Sequence, residues 1–528
     1  MGCGHRSSTS LRPYQPAQLA HLPEASAPRD TEAVTIKRGG KTYDSRARMK
    51  WAQRAMAESS VKQPDVPRPP GPPGLELALS IMLQGQSAPL VFQRFLREYS
   101  GLAHFRRGSE HVYLTSDPDL VVEVFQNQGR HTIKPPVLQS SRAVLGEGLL
   151  TAEGDHHLRQ RRLLQPAFHR DRIAGYARTM VAETEAHVAE WQNGQQIDVA
   201  ADMSRLTLQI VGQTLFGVDM SGSAQDVAEA LDVVLANSTA IIQPLSNIRA
   251  RLGMPPFGAT IAAGNELDKI LQRIIEEHRQ TGDTGDLLSM MMAAREDGVG
   301  MDDAQLRDEA MTLILAGHET TAMWLTWTWL LLAQNQQQST WLREELDQLP
   351  DRPPEFHDLP SLPRTRAVLA ESLRLYPPAW MIGRRLMTDV SYQGWTIPTG
   401  SVLLAPMWVM HRSPDYWDYP LAFRPQRWLN TEGQYDERGT VRHRGAWYPF
   451  GWGNRRCIGD QFAWTEATLL MAFMARNWSM RVTDPSRPVE PEGNITLRPR
   501  GGLQMTLEQR TTSLLNTPSS QQAELFTP

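Results

Sequence analysis

The sequence predicts a mainly α-helical protein with a smaller β-rich part. Three observations lead there. Residues 75–281 carry apolar positions at mostly helical spacing. Residues 301–336 read as one long helix in which Met311, Leu313, Ile314, Leu315, Met323, Leu325, Leu330, Leu331 and Leu332 surround most of the circumference. A helix apolar nearly all round lies in the middle of a large domain, and at ~1.5 Å per residue this one would span roughly 50 Å. Strand signals are short: residues 111–114, and residues 394–404, which read as a strand, a Pro-Thr-Gly turn and a second strand.

Along the chain, residues 1–66 read as a poorly ordered tail, rich in Ser, Pro, Ala and charge. Lys37, Arg38, Lys41, Arg46, Arg48, Lys50 and Arg54 make a basic patch there. Its plain reading is a solvated arm, and its sharper one contact with an acidic partner or a peripheral membrane surface. Gly40-Lys41-Thr42 is no phosphate loop, because Thr35 stands where the first glycine is required. The Pro-Gly run over 67–74 breaks any helix and marks where folding starts. The folded region is expected over 67–510, with a helix from 460 to 474 and a polar tail over 511–528.

Composition narrows the class. Of 528 residues 41% are hydrophobic, and Lys and Arg total 54 against 58 Asp and Glu, so no basic excess points to nucleic acid. Cys3 and Cys457 are the only cysteines, which excludes a disulfide scaffold and favours a reducing compartment. No apolar run reaches the ~20 residues of a membrane span, and the N-terminus lacks a signal-peptide core. A soluble, cytoplasmic protein is expected.

The chemistry concentrates around Cys457, in Phe450-Gly451-Trp452-Gly453-Asn454-Arg455-Arg456-Cys457-Ile458-Gly459. Glycines let this loop bend and approach a flat ligand. The following helix puts its N–H groups near the sulfur, and with Arg455 and Arg456 these favour a thiolate. With no second Cys or His at zinc spacing, a zinc site is excluded. A haem-ligating thiolate needs such an N–H-rich cradle; a buried structural Cys and a Cys nucleophile are the other readings. Within the long helix, Ala316-Gly317-His318-Glu319-Thr320-Thr321 combines small residues, an acid and hydroxyls. An acid beside an alcohol can relay protons; a helix-bending Thr with a snorkelling Glu is the plainer reading. Glu371 and Arg374 lie at i and i+3 on a helix ended by Pro377 and Pro378, a spacing that is commonplace on surfaces.

These runs together resemble the cytochrome P-450 monooxygenases, over about residues 67–510. F-x-x-G-x-R-x-C-x-G is matched at every fixed position by Phe450 to Gly459, and A-G-x-[DE]-T-T by Ala316 to Thr321. The resemblance implies one large helical domain rather than the ~3 domains that length alone suggests. It implies haem b (iron protoporphyrin IX) buried between the long helix and the loop, with Cys457 as iron ligand. Glu319 and Thr320 would be the acid and alcohol of oxygen activation, with Ala316 and Gly317 facing the oxygen pocket. The presence of Thr320 argues against the peroxide-using subgroup. Glu371, Arg374 and Arg427 would form a buried structural triad; Gln426 and Trp428 depart from the commonest residues of the F-x-P-E-R-F segment. His157, Arg161, Arg384 and Arg455 would hold the haem propionates, Arg385 being an alternative to Arg384.

No flavin domain follows the fold, so electrons would come from a ferredoxin or flavodoxin with its NAD(P)H reductase, docked on a basic face around Arg455 and Arg456. A monomer is expected. Patches at 373–386 and 496–503 are similar to bacterial P-450 carotenoid ring hydroxylases. Pro378, Ala379, Trp380 and Ile382 would line the pocket for a hydrophobic substrate, or else simply be core. The resulting expectation is hydroxylation of a C–H bond by O2, with a carotenoid β-ring as leading substrate and a fatty acid as alternative. A haem sensor or an isomerase-type P-450 is the alternative of another class.

Overall fold

The structure is a computed structural model. It describes residues 36–38, 41–43 and 66–510, the last without 75, 77–86, 221–226, 228, 229, 231, 232, 234–256, 283, 284 and 297. The chain forms two units, Met1–Arg48 and Met49–Pro528. Of the first, a hairpin of β1 (Ile36–Arg38) and β2 (Lys41–Tyr43) is described. The tails expected at 1–66 and 511–528 otherwise lie outside the described residues, apart from residue 66.

In the second unit the helices that build the site are α1 (Gly154–Leu164), α2 (Arg170–Val188), α3 (Val199–Phe216), α4 (Asp303–Gln334), α5 (Pro363–Leu375) and α6 (Asp460–Asn477). The 32-residue α4 starts where the Asp302 carboxylate caps the Gln305 N–H at 2.9 Å. It ends where the Asn335 amide donates to the Leu331 carbonyl at 2.8 Å. Helices α3, α5 and α6 pack against it, and its apolar circumference joins one continuous core containing Leu206, Val211, Met323, Leu325, Leu373 and Leu470. The expectation of a central buried helix follows directly from that packing.

A five-stranded sheet runs in the order β3 (Leu102–Arg107), β4 (Glu110–Thr115), β10 (Val402–Ala405), β7 (Ile382–Leu386) and β5 (Thr132–Ile133). Only the β4–β10 pair is parallel. A second core, with Tyr113, Phe125, Leu386 and Leu403, lies under this sheet. β6 (Gln196–Asp198) pairs with β14 (Gln504–Gln509), which also pairs with β11 (Trp478–Val482). The segment 394–404 is not a hairpin. β9 (Trp395–Ile397) pairs back onto β8 (Val390–Tyr392), while β10 enters the large sheet. β12 (Pro491–Gly493) and β13 (Leu497–Pro499) form a short hairpin. The Pro-Gly run crosses β3: the His104 N–H donates to the Pro70 carbonyl at 3.2 Å, and a Cβ at Gly71 would stand 1.9 Å from the His104 oxygen. Only glycine permits that approach. Among the described residues no helix is long and apolar enough to cross a membrane.

Candidate active site

The Cys loop is shaped by two glycines with positive φ, Gly451 (75°) and Gly453 (68°). A Cβ at Gly453 would lie 2.3 Å from the Phe125 carbonyl oxygen, so the loop can seat on that backbone only with glycine there. The turn closes through the Cys457 N–H, which donates to the Phe450 carbonyl at 2.9 Å, and Gly459 then caps α6. Aromatic packing ties the loop to the long helix: the Phe450 ring is 6.2 Å from Trp324 of α4 and 6.2 Å from Trp464 of α6.

Cys457 is accessible to solvent-sized contact, yet protein surrounds it densely enough that burial pushes its thiol up to about 11. The Gly459 N–H, Arg161 and Arg456 pull the other way without prevailing. Cys457 thus keeps accessible surface although protein lies densely around it. In the protein alone the cradle therefore does not make the thiolate by itself; a cation at the sulfur would. The long helix carries an accessible patch of its own. From Glu309 to Leu332 every residue of α4 is buried except Ala316, Gly317 and Thr320. Those three share one face by helical periodicity. The Thr320 hydroxyl donates to the Ala316 carbonyl at 2.7 Å. Glu319 is 1% exposed, and its Oε1 accepts from the Thr496 hydroxyl and from Arg498 Nε, both at 2.6 Å.

Beside the loop, basic side chains outnumber acids among the described residues. His157 and Arg161 on α1, Arg384 on β7 and Arg455 of the loop gather with Lys134, which follows β5. Arg455 pairs with Glu153 and donates to the Ala152 carbonyl at 3.0 Å. Lys134 Nζ donates to the Leu149 and Ala152 carbonyls at 2.8 Å, and its own N–H to Glu153 at 2.6 Å. Arg161 donates to the Arg456 carbonyl at 2.7 Å, tying α1 to the loop. Burial, then the neighbouring cations, pulls His157 down to about 3. Burial, then Arg455, pulls Lys134 down to about 6 and Arg384 to about 10. The buried His157 Nδ1 has no hydrogen-bond partner among the described residues. Arg384 and Arg385 point to opposite faces of β7. Arg384 stacks over Phe125 at 4.9 Å, whereas Arg385 is committed to Glu110 at 2.6 Å.

A buried cluster of basic side chains, two of which burial keeps from charging, fits a dianionic ligand that would restore their charge. The accessible sulfur and the accessible small-residue helix face are surfaces that a flat one would use. The donor set therefore matches haem. Lys134 escaped sequence reasoning, and its signal is a lysine set in Thr132-Ile133-Lys134-Pro135-Pro136 without a nearby acid in sequence. The docking expectation changes: Arg455 is turned inward on Glu153, and exposed Arg456 already pairs with Asp460 at 2.9 Å.

Glu371 and Arg374 are fully buried, not surface groups, and joined by bonds of 2.8 and 2.9 Å. Arg427 reaches Glu371 at 3.1 Å. Trp428, the departure from the usual phenylalanine, donates its indole N–H to Glu371 at 2.9 Å, which phenylalanine cannot do. Of the expected pocket residues, Pro378 and Trp380 are buried, with the Trp380 indole donating to the Asn494 carbonyl at 2.9 Å. Ala379 and Ile382 keep accessible surface.

A helical domain with an accessible cysteine in a glycine-bent loop, an accessible small-residue face on its central helix and basic side chains gathered beside the loop has the parts of a haem-thiolate protein. The chain belongs to the cytochrome P450 family, whose match spans residues 69–506. It is 37% identical over 445 residues to cyclooctatin synthase of Streptomyces melanosporofaciens, covering 83% of this chain and 95% of that one. It is 33% identical over 446 residues to pentalenene oxygenase of Streptomyces avermitilis, covering 83% and 97%. The crystal structure of the cytochrome P450DA heme domain superposes with a TM-score of 0.72 at 26% identity, covering 84% of this chain and 96% of that one. The protein is a monooxygenase of this family.

Proposed function

We propose that the chain uses haem b to insert one oxygen atom of O2 into a C–H bond of a terpenoid hydrocarbon. The balance is R–H + O2 + two electrons + two protons → R–OH + H2O. Haem, when bound, would supply the iron for the oxygen chemistry. Cys457 holds the iron. Lys134, His157, Arg161, Arg384 and Arg455 hold the propionates. Ala316 and Gly317 keep the helix face clear for oxygen, and Glu319 and Thr320 move protons towards it. Glu371, Arg374 and Arg427 hold the scaffold. Ala379 and Ile382 offer apolar surface to the substrate, whose burial drives binding. The observation that carries this reading is the accessible face of Ala316, Gly317 and Thr320 in an otherwise buried stretch of helix.

The substrate class rests on relatives named for cyclooctatin and pentalenene. Carotenoids are themselves terpenoids, so a β-ring stays within the class, whereas a fatty acid does not. Electrons come from a ferredoxin or flavodoxin with its NAD(P)H reductase, to a monomeric cytoplasmic enzyme. The test supplies a plant-type ferredoxin and its reductase, with pentalenene, β-carotene or palmitic acid in turn. Hydroxylated terpenoid formed with O2 uptake supports the proposal. Product from palmitic acid alone overturns the substrate class. Spectral binding without product under any donor overturns the oxygenase.

A further inference from the structure

The acid in the long helix is held from behind. Glu319 Oε1 takes two short hydrogen bonds, from Thr496 and Arg498 at 2.6 Å each, while its buried Oε2 has no hydrogen-bond partner among the described residues. The Arg498 bond is charge-assisted and so among the stronger kinds. The two carboxylate oxygens are therefore unequal: one is anchored, the other is left for exchange with a water or a hydroxyl.

The anchor belongs to an element tied to the substrate side. Thr496 and Arg498 lie at the turn and second strand of the β12–β13 hairpin. Next to them the Leu497 N–H donates to the Pro378 carbonyl at 2.9 Å, and the Leu497 carbonyl accepts from the Trp327 indole of α4 at 2.8 Å. In the hairpin turn the Asn494 carbonyl accepts from Trp380 at 2.9 Å. A Cβ at Gly493 would stand 2.8 Å from the Trp380 ring, so hairpin and loop are in close packing. Alternate contacts of one short hairpin thus reach the helix acid and the loop 378–382.

We propose that Arg498, with Thr496, is a positioning residue of the proton relay. It clamps Glu319 by Oε1 so that Oε2 takes up a proton and passes it towards Thr320, and the hairpin fixes this clamp relative to the substrate loop. The inference rests on the monooxygenase reading above. Losing the clamp lets the acid turn, so dioxygen receives its second proton at the wrong place and leaves as peroxide.

The experiment measures H2O2 released per O2 consumed, with NADPH, ferredoxin, reductase and pentalenene as the probe hydrocarbon. The ratio has a ceiling of one H2O2 per O2, so where the parent does not hydroxylate pentalenene, β-carotene or palmitic acid, whichever it hydroxylates, takes its place. Arg498→Met is expected to raise the peroxide share several-fold at unchanged haem content and unchanged spectral affinity for pentalenene. Arg498→Lys should restore most of the parent ratio. In a Glu319→Gln background, where the anchored charge is gone, Arg498→Met should change the ratio by less than twofold. Should Arg498→Met fail to take up haem, Thr496→Val removes one of the two anchoring bonds and carries the same expectation in the same two backgrounds. An unchanged peroxide share, or an equal rise with and without the Glu319 charge, overturns the clamp. A parent protein that consumes no O2 overturns the monooxygenase reading and the clamp with it.

Discussion

Glu371 shows how one residue can decide whether the scaffold forms. Burial works against its charge, but Arg374 and Arg427 outweigh it and hold the carboxyl below its usual range. It also accepts from Trp428 and from the Arg424 N–H at 2.9 Å each. Arg374 in turn donates to the His411, Pro420 and Ala422 carbonyls at 2.7, 2.6 and 3.2 Å. Glu371→Gln leaves two buried cations undercompensated, which costs about 3–5 kcal/mol. The expected outcome is loss of soluble haem-loaded protein, scored by the Soret absorbance per mole of chain. Glu466 is the reverse case. It is fully buried on α6, and burial lifts it from 4.5 to about 8, with the neighbouring Thr321 hydroxyl pulling weakly the other way. A raised folded pKa means that the folded protein holds a proton the unfolded chain has already lost. Stability then falls as pH rises from about 4.5 to 8, by an amount on the order of a few kcal/mol. Glu466→Gln should raise the unfolding midpoint more at pH 8 than at pH 5; equal shifts at the two pH values would refute the assignment.

At the scale of elements, the Cys loop depends on two left-handed glycines and one close approach. Gly453→Ala must move either the loop or the Phe125 backbone, because the added methyl would meet the carbonyl at 2.3 Å and its φ is 68°. Strain of this kind costs about 1–3 kcal/mol. Since Cys457 lies four residues on, the variant should fold but hold haem less tightly, read as faster haem transfer to apomyoglobin. Cys457→Ala should go further and abolish the thiolate-type Soret band of the reduced, carbon-monoxide-treated protein. An Ala variant that keeps that band would remove the loop from the active site.

Over the whole molecule, the cation cluster makes the haem-free protein sensitive to pH. Lys134 is lowered from 10.5 to about 6 and His157 from 6.5 to about 3. In both cases the unfolded chain binds more protons, so these two groups contribute stability to the haem-free protein as pH rises through those windows. Lys134 adds a climb above about pH 6, which Glu466 opposes up to about pH 8, so it is read as the difference in unfolding midpoint between the parent and Lys134→Met. Adding haem should flatten that climb, because carboxylates beside Lys134 favour its charged form. Lys134→Met should also flatten it in the haem-free protein while weakening haem retention. A difference between parent and Lys134→Met that does not move with pH in the haem-free protein would count against the cluster.

What the sequence determined by itself was local. Apolar residues all round a 32-residue helix require a central position, since each face needs a partner. The glycine-bracketed Cys457 loop and the Ala316–Thr321 run are contiguous, so spacing alone exposes them. What joins distant segments was decided only in three dimensions. Residues 394–404 look like one hairpin, yet β9 and β10 go to different sheets, because strand signals carry no information about partners. Glu371 and Arg374 could have been a surface pair; only packing made the site fully buried. Trp428 looked like a mere departure, and became a fourth contact of Glu371 once the chain brought it there. Lys134, Thr496 and Arg498 lie far in sequence from the groups they serve, and the meaning of such residues is set by the charge or oxygen that the fold places beside them.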